Sequence, residues 1–147
     1  MCFALYIASS IPLPIIPWDE KSRALHTEPI GDNDRKVMQH FKHSHIYFVG
    51  SDTYCGCGYR HATYQTGTWP EEEWQPEEDQ GKGQANHEQL VDFVRKFCAE
   101  DTGIELYGMW EGDIDEPACS HQDITPDRLS AMDFHFRERG HYTISFS

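Results

Sequence analysis

The chemistry-bearing residues of this chain concentrate in one stretch, "GSDTYCGCGYRH", Gly50 to His61. Cys55 and Cys57 flank Gly56, Gly58 follows, and His61 comes four residues after the second thiol. A bound metal would need deprotonated thiolates or neutral imidazoles converging on it. Cys55 and Cys57 supply two sulfurs, His61 one nitrogen, and His45 or His43 from the preceding segment a fourth donor. Zinc suits that set, although its familiar structural spacing is C-x2-C and the chain has no second cysteine pair.

Two other chemistries use the same residues. Cys55 and Cys57 could form a reversible disulfide, which so small a loop would strain and leave easily reduced. A thiolate beside His61 or His45 could act as a nucleophile, but no orienting acid or oxyanion hole is legible. The plain alternative is a strand–turn–strand connection whose glycines supply positive φ and whose small cysteines tuck against the core. That last reading is the one the sequence favours: a metal-free turn, Cys55 and Cys57 unpaired, and no cofactor, with zinc as the alternative.

Cys2 stands apart. An opening Met-Cys resembles the N-terminal-nucleophile amidotransferases, but only over two residues, and Phe3 replaces the usual glycine. That reading is set aside unless the terminus is processed. "MWEGDIDEP" gathers Glu111, Asp113, Asp115 and Glu116, oxygens that suit a hard cation. It lacks the full calcium-loop pattern and reads as a solvated acidic loop.

The elements that must position these groups are short and strand-rich. Cys2–Ala8 is almost continuously apolar, as a strand covered on both faces would be. Leu25–Ile30, His45–Gly50 and Ile104–Trp110 read as further strands, with Arg60–Thr66 returning from the cysteine loop. Asp32 or Asn33 opens a helix with Val37, Met38 and Phe41 on one face. The strongest helix is Asn86–Glu100, capped by Asn86 with Gln89 and burying Leu90, Val94 and Phe97. Thr125 and Pro126 cap a short helix, and Phe134–Arg137 with His141–Phe146 suggest a closing hairpin around "ERG". The fold class is therefore α+β: one domain, 1–147, with a mixed or antiparallel sheet and helices mainly on one face.

Residues 67–85 form an acidic internal loop rich in Pro and Gly, in which Trp69 and Trp74 are candidate interaction residues. Residues 71–147 hold nineteen acidic and six basic side chains, which account for the whole net charge of −13. Such a surface repels phosphate backbones and anionic lipid, so nucleic acid and membranes are excluded as partners. A basic protein partner fits better, and homo-oligomerisation stays open. The prolines at 12, 14 and 17 and the lack of a basic n-region argue against a signal peptide, which points to the cytoplasm and reduced thiols.

The opening "MCFALYIA", the strand entering "GCG" and the segment "ELYGMWEGD" resemble an uncharacterised family of small bacterial proteins. The resemblance implies a bacterial origin and carries no known activity or functional residue. Taken together, these features describe a soluble binding or interaction protein with an acidic surface and no catalysis. The alternative is a thiol protein whose Cys55/Cys57 loop binds zinc or undergoes reversible oxidation.

Overall fold

An apolar strand with both faces covered belongs at the centre of a sheet, and β1 (Phe3–Ser9) is buried along its whole length. In the computed structural model, which describes residues 2–61, 82–99 and 102–146, it lies inside a six-stranded mixed sheet of order β2-β3-β1-β4-β6-β5. The other strands are β2 (His26–Pro29), β3 (His45–Gly50), β4 (Ile104–Trp110), β5 (Ser120–Ile124) and β6 (Gly140–Ile144). β1 pairs antiparallel with β3 and β4, and β6 pairs antiparallel with β4; only β5 runs parallel to its neighbour, β6. The α+β class holds.

Alternation along β1 divides the interior in two. Phe3, Leu5 and Ile7 face helices α1 (Lys82–Phe97) and α2 (Pro126–Ser130). There they pack with Leu90, Val91 and Val94 of α1, Leu129 of α2, and Phe134, Phe136 and Tyr142. Ala4, Tyr6 and Ala8 face the other way, where Asp32–His40 lays Val37 against them. The small side chains of Ala4 and Ala8 leave room for that covering segment.

Local expectations fail where tertiary contacts overrule them. Asp32–His40 is a 3₁₀ run, not an α-helix, and no side chain caps its start. α1 begins at Lys82, so the last residues of 67–85 are helical. Asn86 therefore lies inside the helix and cannot cap it; its amide instead donates to Asp52 Oδ1 at 2.8 Å. Leu90 and Val94 are fully buried as expected, but Phe97 is only half-buried at the margin of the core. Thr125 caps α2 as read, its Oγ1 accepting from Arg128 N–H at 3.2 Å. The closing hairpin does not form: β6 joins β4 and β5, while Phe136 bridges in parallel to His61. β5, with its charged and amide side chains, carried no apolar signal for a strand. Residues 62–66 of the expected returning strand lie outside the described residues.

Candidate metal centre

β3 runs antiparallel to β1, with Tyr6 opposite Phe48, so the chain leaving Gly50 arrives beside the start of β1. Cys2 sits at that start. The loop is folded tightly onto itself: Ser51 N–H and Oγ–H both donate to the Cys55 carbonyl at 2.8 Å, and Gly58 N–H donates to Ser51 Oγ at 3.1 Å. Tyr54 takes the left-handed φ of 75°, and Gly56–Gly58 forms a single 3₁₀ turn. Gly56 has a steric reason to be glycine. A Cβ there would stand 2.9 Å from the Phe3 carbonyl oxygen and 3.2 Å from Leu5 N, so the loop rests directly on β1. Gly58 is equally confined, with Ser51 Oγ 2.3 Å and Asn86 Nδ2 2.7 Å from where its Cβ would be. Asn86 also donates to the Gly58 carbonyl at 3.2 Å, clamping the loop to α1.

That packing brings Cys2, Cys55 and Cys57 together with their sulfurs within 4.8 Å of one another, all as free thiols. Cys55 is buried, and Cys2 and Cys57 are half-buried. The sulfurs are embedded in polar contacts. Phe3 N–H donates to Cys57 Sγ at 3.2 Å, while Cys55 Sγ accepts from Cys57 N–H at 3.5 Å and lies 3.5 Å from Thr53 Oγ1. The three thiols are thereby differentiated. Burial alone would raise Cys55, but hydrogen bonds from Thr53, the Cys57 amide and the Cys57 and Cys2 thiols outweigh it and hold Cys55 below the ordinary thiol range. Cys2 is raised, chiefly by its hydrogen bond to Cys55 and then by burial. Burial pushes Cys57 up to about 12. Of the three, Cys55 thus gives up its proton most readily.

The candidate ligands divide. Cys55 and Cys57 are in the cluster, and the third member is Cys2 in place of His61 or His45. His61 stacks on Phe3 with ring centroids 4.6 Å apart and meets Trp110 edge-on at 5.6 Å. His45 pairs with Ser9 at the far end of β3, about 17 Å along the strand from the loop at ~3.3 Å per residue. Trp69 and Trp74 lie outside the described residues. The acidic loop is partly neutralised, with Lys36 on Asp115 and Arg139 3.7 Å from Glu116. Cys2 was not legible as a ligand, because the sequence shows a strand opening there but not that β3 is its antiparallel neighbour.

A second constellation escaped sequence reasoning entirely. Glu105 is 1% exposed, and its carboxylate accepts from His141 Nε2 at 2.8 Å, His43 N–H at 3.0 Å and Lys42 N–H at 3.1 Å. Burial would raise this carboxyl, but those hydrogen bonds hold it below its usual range. An ionised carboxylate only accepts, so His141 Nε2 carries a proton. Its Nδ1 lies 2.6 Å from Nδ1 of His121, whose ring is exposed and stacked on it. Strand register puts the imidazoles side by side, and nothing in the spacing of residues 105, 121 and 141 announces it.

No family profile matches the chain, and neither a curated protein nor a solved structure shows similarity to it. Among the described residues, no helix is long and apolar enough to cross a membrane.

Proposed function

We propose that this protein binds a soft divalent or monovalent d¹⁰ cation, zinc first, through the sulfurs of Cys2, Cys55 and Cys57. The observation that carries the reading is the convergence of those sulfurs within 4.8 Å without a disulfide. Thiolates bound to zinc at about 2.3 Å stand roughly 3.8 Å apart in tetrahedral geometry, so closure needs only small side-chain movements. Thiolate-only donor sets select zinc or copper(I) over magnesium or calcium. Three protein ligands leave one tetrahedral position for an outside ligand, the arrangement of exchangeable or catalytic sites.

Because Cys2 and Cys57 are protonated in the free site, binding displaces their protons, and affinity rises with pH. The test is elemental analysis of protein purified without chelator, followed by cobalt(II) titration, in which sulfur-to-cobalt charge-transfer absorption reports thiolate ligation. One equivalent lost in each of Cys2→Ser, Cys55→Ser and Cys57→Ser, and kept in Cys98→Ser, supports the site. Retention of stoichiometric metal by Cys2→Ser refutes it.

A second reading is favoured by the lowered Cys55 thiol. Hydrogen peroxide could take two electrons and two protons from Cys55 and a neighbouring thiol, leaving their disulfide and two waters, and a small disulfide would do the same and leave as two thiols. Mass spectrometry after mild peroxide, with and without zinc, separates the two readings.

A further inference from the structure

Tyr6, on the face of β1 opposite the helices, forms one wall of a cavity of about 400 Å³. Phe48 and Tyr54 complete an aromatic surface, and Glu28, Asp34 and Glu111 supply three carboxylates around it. Phe48 meets Tyr6 edge-on at 5.7 Å and lies 6.1 Å from Tyr54, tilted by 35°. Trp18 backs Tyr54 at 5.2 Å and 82°, and the Tyr54 hydroxyl donates to Glu28 at 3.1 Å, so this ring is held although 44% exposed. Asp34 lines the cavity with Tyr6, and its charge, after burial, disfavours ionisation of that hydroxyl. Among the described residues no lysine or arginine lines the cavity, and nearby Lys36 is engaged by Asp115.

The ligand class follows from how these groups are spread. A hard metal ion needs oxygens converging within a few ångströms. Glu28, Asp34 and Glu111 come from three elements and do not gather into a metal-sized group; among the described residues only the cysteines do. The volume falls within the range of small-molecule sites. Aromatic faces attract a diffuse, weakly hydrated cation, and desolvation in a concave site strengthens that attraction. Uncompensated carboxylates add a long-range field of the same preference.

We propose that this cavity binds an organic cation, a quaternary or alkylated ammonium group, seated against Tyr6, Phe48 and Tyr54 and neutralised by Glu28, Asp34 and Glu111. This site does not depend on the thiol centre. Choline and its neutral carbon isostere dimethylbutanol are the probes, followed by calorimetry and by backbone amide shifts. Choline should bind saturably with shifts confined to residues around the cavity, and the isostere about tenfold more weakly or not at all.

Tyr54→Phe keeps the ring and should leave choline affinity within about twofold, whereas Tyr54→Asn, a residue that tolerates the left-handed backbone, should weaken it roughly three- to thirtyfold. Equal binding of the isostere, no effect of Tyr54→Asn, absence of saturable choline binding, or calcium saturating the same residues would each overturn the proposal.

Discussion

The two faces of the central sheet are built from the same strands and differ in what they bury. The α1 side presents Phe3, Leu5, Ile7, Leu106, Phe136 and Ile144 to helices, an apolar layer in which His87 is a polar intruder. The opposite side buries Glu105 and His141, and carries Tyr6 with the carboxylates of the cavity around it; Cys2 and Cys55 pack against it near the start of β1. A helix covers its face with a continuous apolar stripe. The 3₁₀ segment Asp32–His40 covers less and leaves a cavity. The lesson is a division of labour: one face stabilises the fold, and the other is free to hold groups that cost stability.

The largest effect should come from the apolar face. Phe136 is fully buried, with ring partners Phe134 at 5.3 Å and Tyr142 at 5.6 Å. Phe136→Ala should lose about 3–5 kcal/mol of unfolding free energy in a denaturant titration. Phe97→Ala, at the margin, should lose distinctly less.

His87 sharpens the same comparison through pH. Burial lowers its pKa from 6.5 to about 4, helped by the nearby Arg60 charge and opposed by the hydrogen bond from Nε2 to the Leu129 carbonyl at 2.8 Å; Nδ1 has no hydrogen-bond partner for a second proton. The folded state therefore favours neutral His87. Its contribution is complete above pH 6.5 and is lost as pH falls towards 4, since the unfolded chain takes up the proton first. The loss is roughly 3 kcal/mol across that window. His40, also lowered by burial, acts in the same direction. Stability measured at successive pH values should flatten in His87→Gln, which keeps the donor to Leu129. An unchanged slope would remove His87 from the account.

Glu105→Gln tests whether the second face contributes to stability after all. Gln turns an amide towards donors that a carboxylate satisfied, and a loss of roughly 2 kcal/mol is expected. A loss larger than that of Phe136→Ala would break the division between the faces. The smallest effect belongs to the thiols: Cys2→Ser and Cys57→Ser should cost about 1 kcal/mol or less in metal-free protein while abolishing zinc retention. Large destabilisation without any change in metal content would make the cluster part of the core.

Periodicity and composition determined a good deal unaided. β3 and β4 were legible residue for residue, because alternating or continuous apolar runs bounded by glycine and polar residues encode burial locally. The stripe Leu90, Val91 and Val94 was legible for the same reason, and Thr125 because a cap followed by proline is a local signal. The cysteine pair announced itself by its spacing. What the chain could not announce was decided by long-range pairing. Cys2 meets residues more than fifty positions away only because β1 and β3 are antiparallel neighbours. Glu105, His121 and His141 meet only through the register of β4, β5 and β6. A strand's own pattern states which face is buried, but not which strand lies beside it, and sites built across strands depend on that second fact.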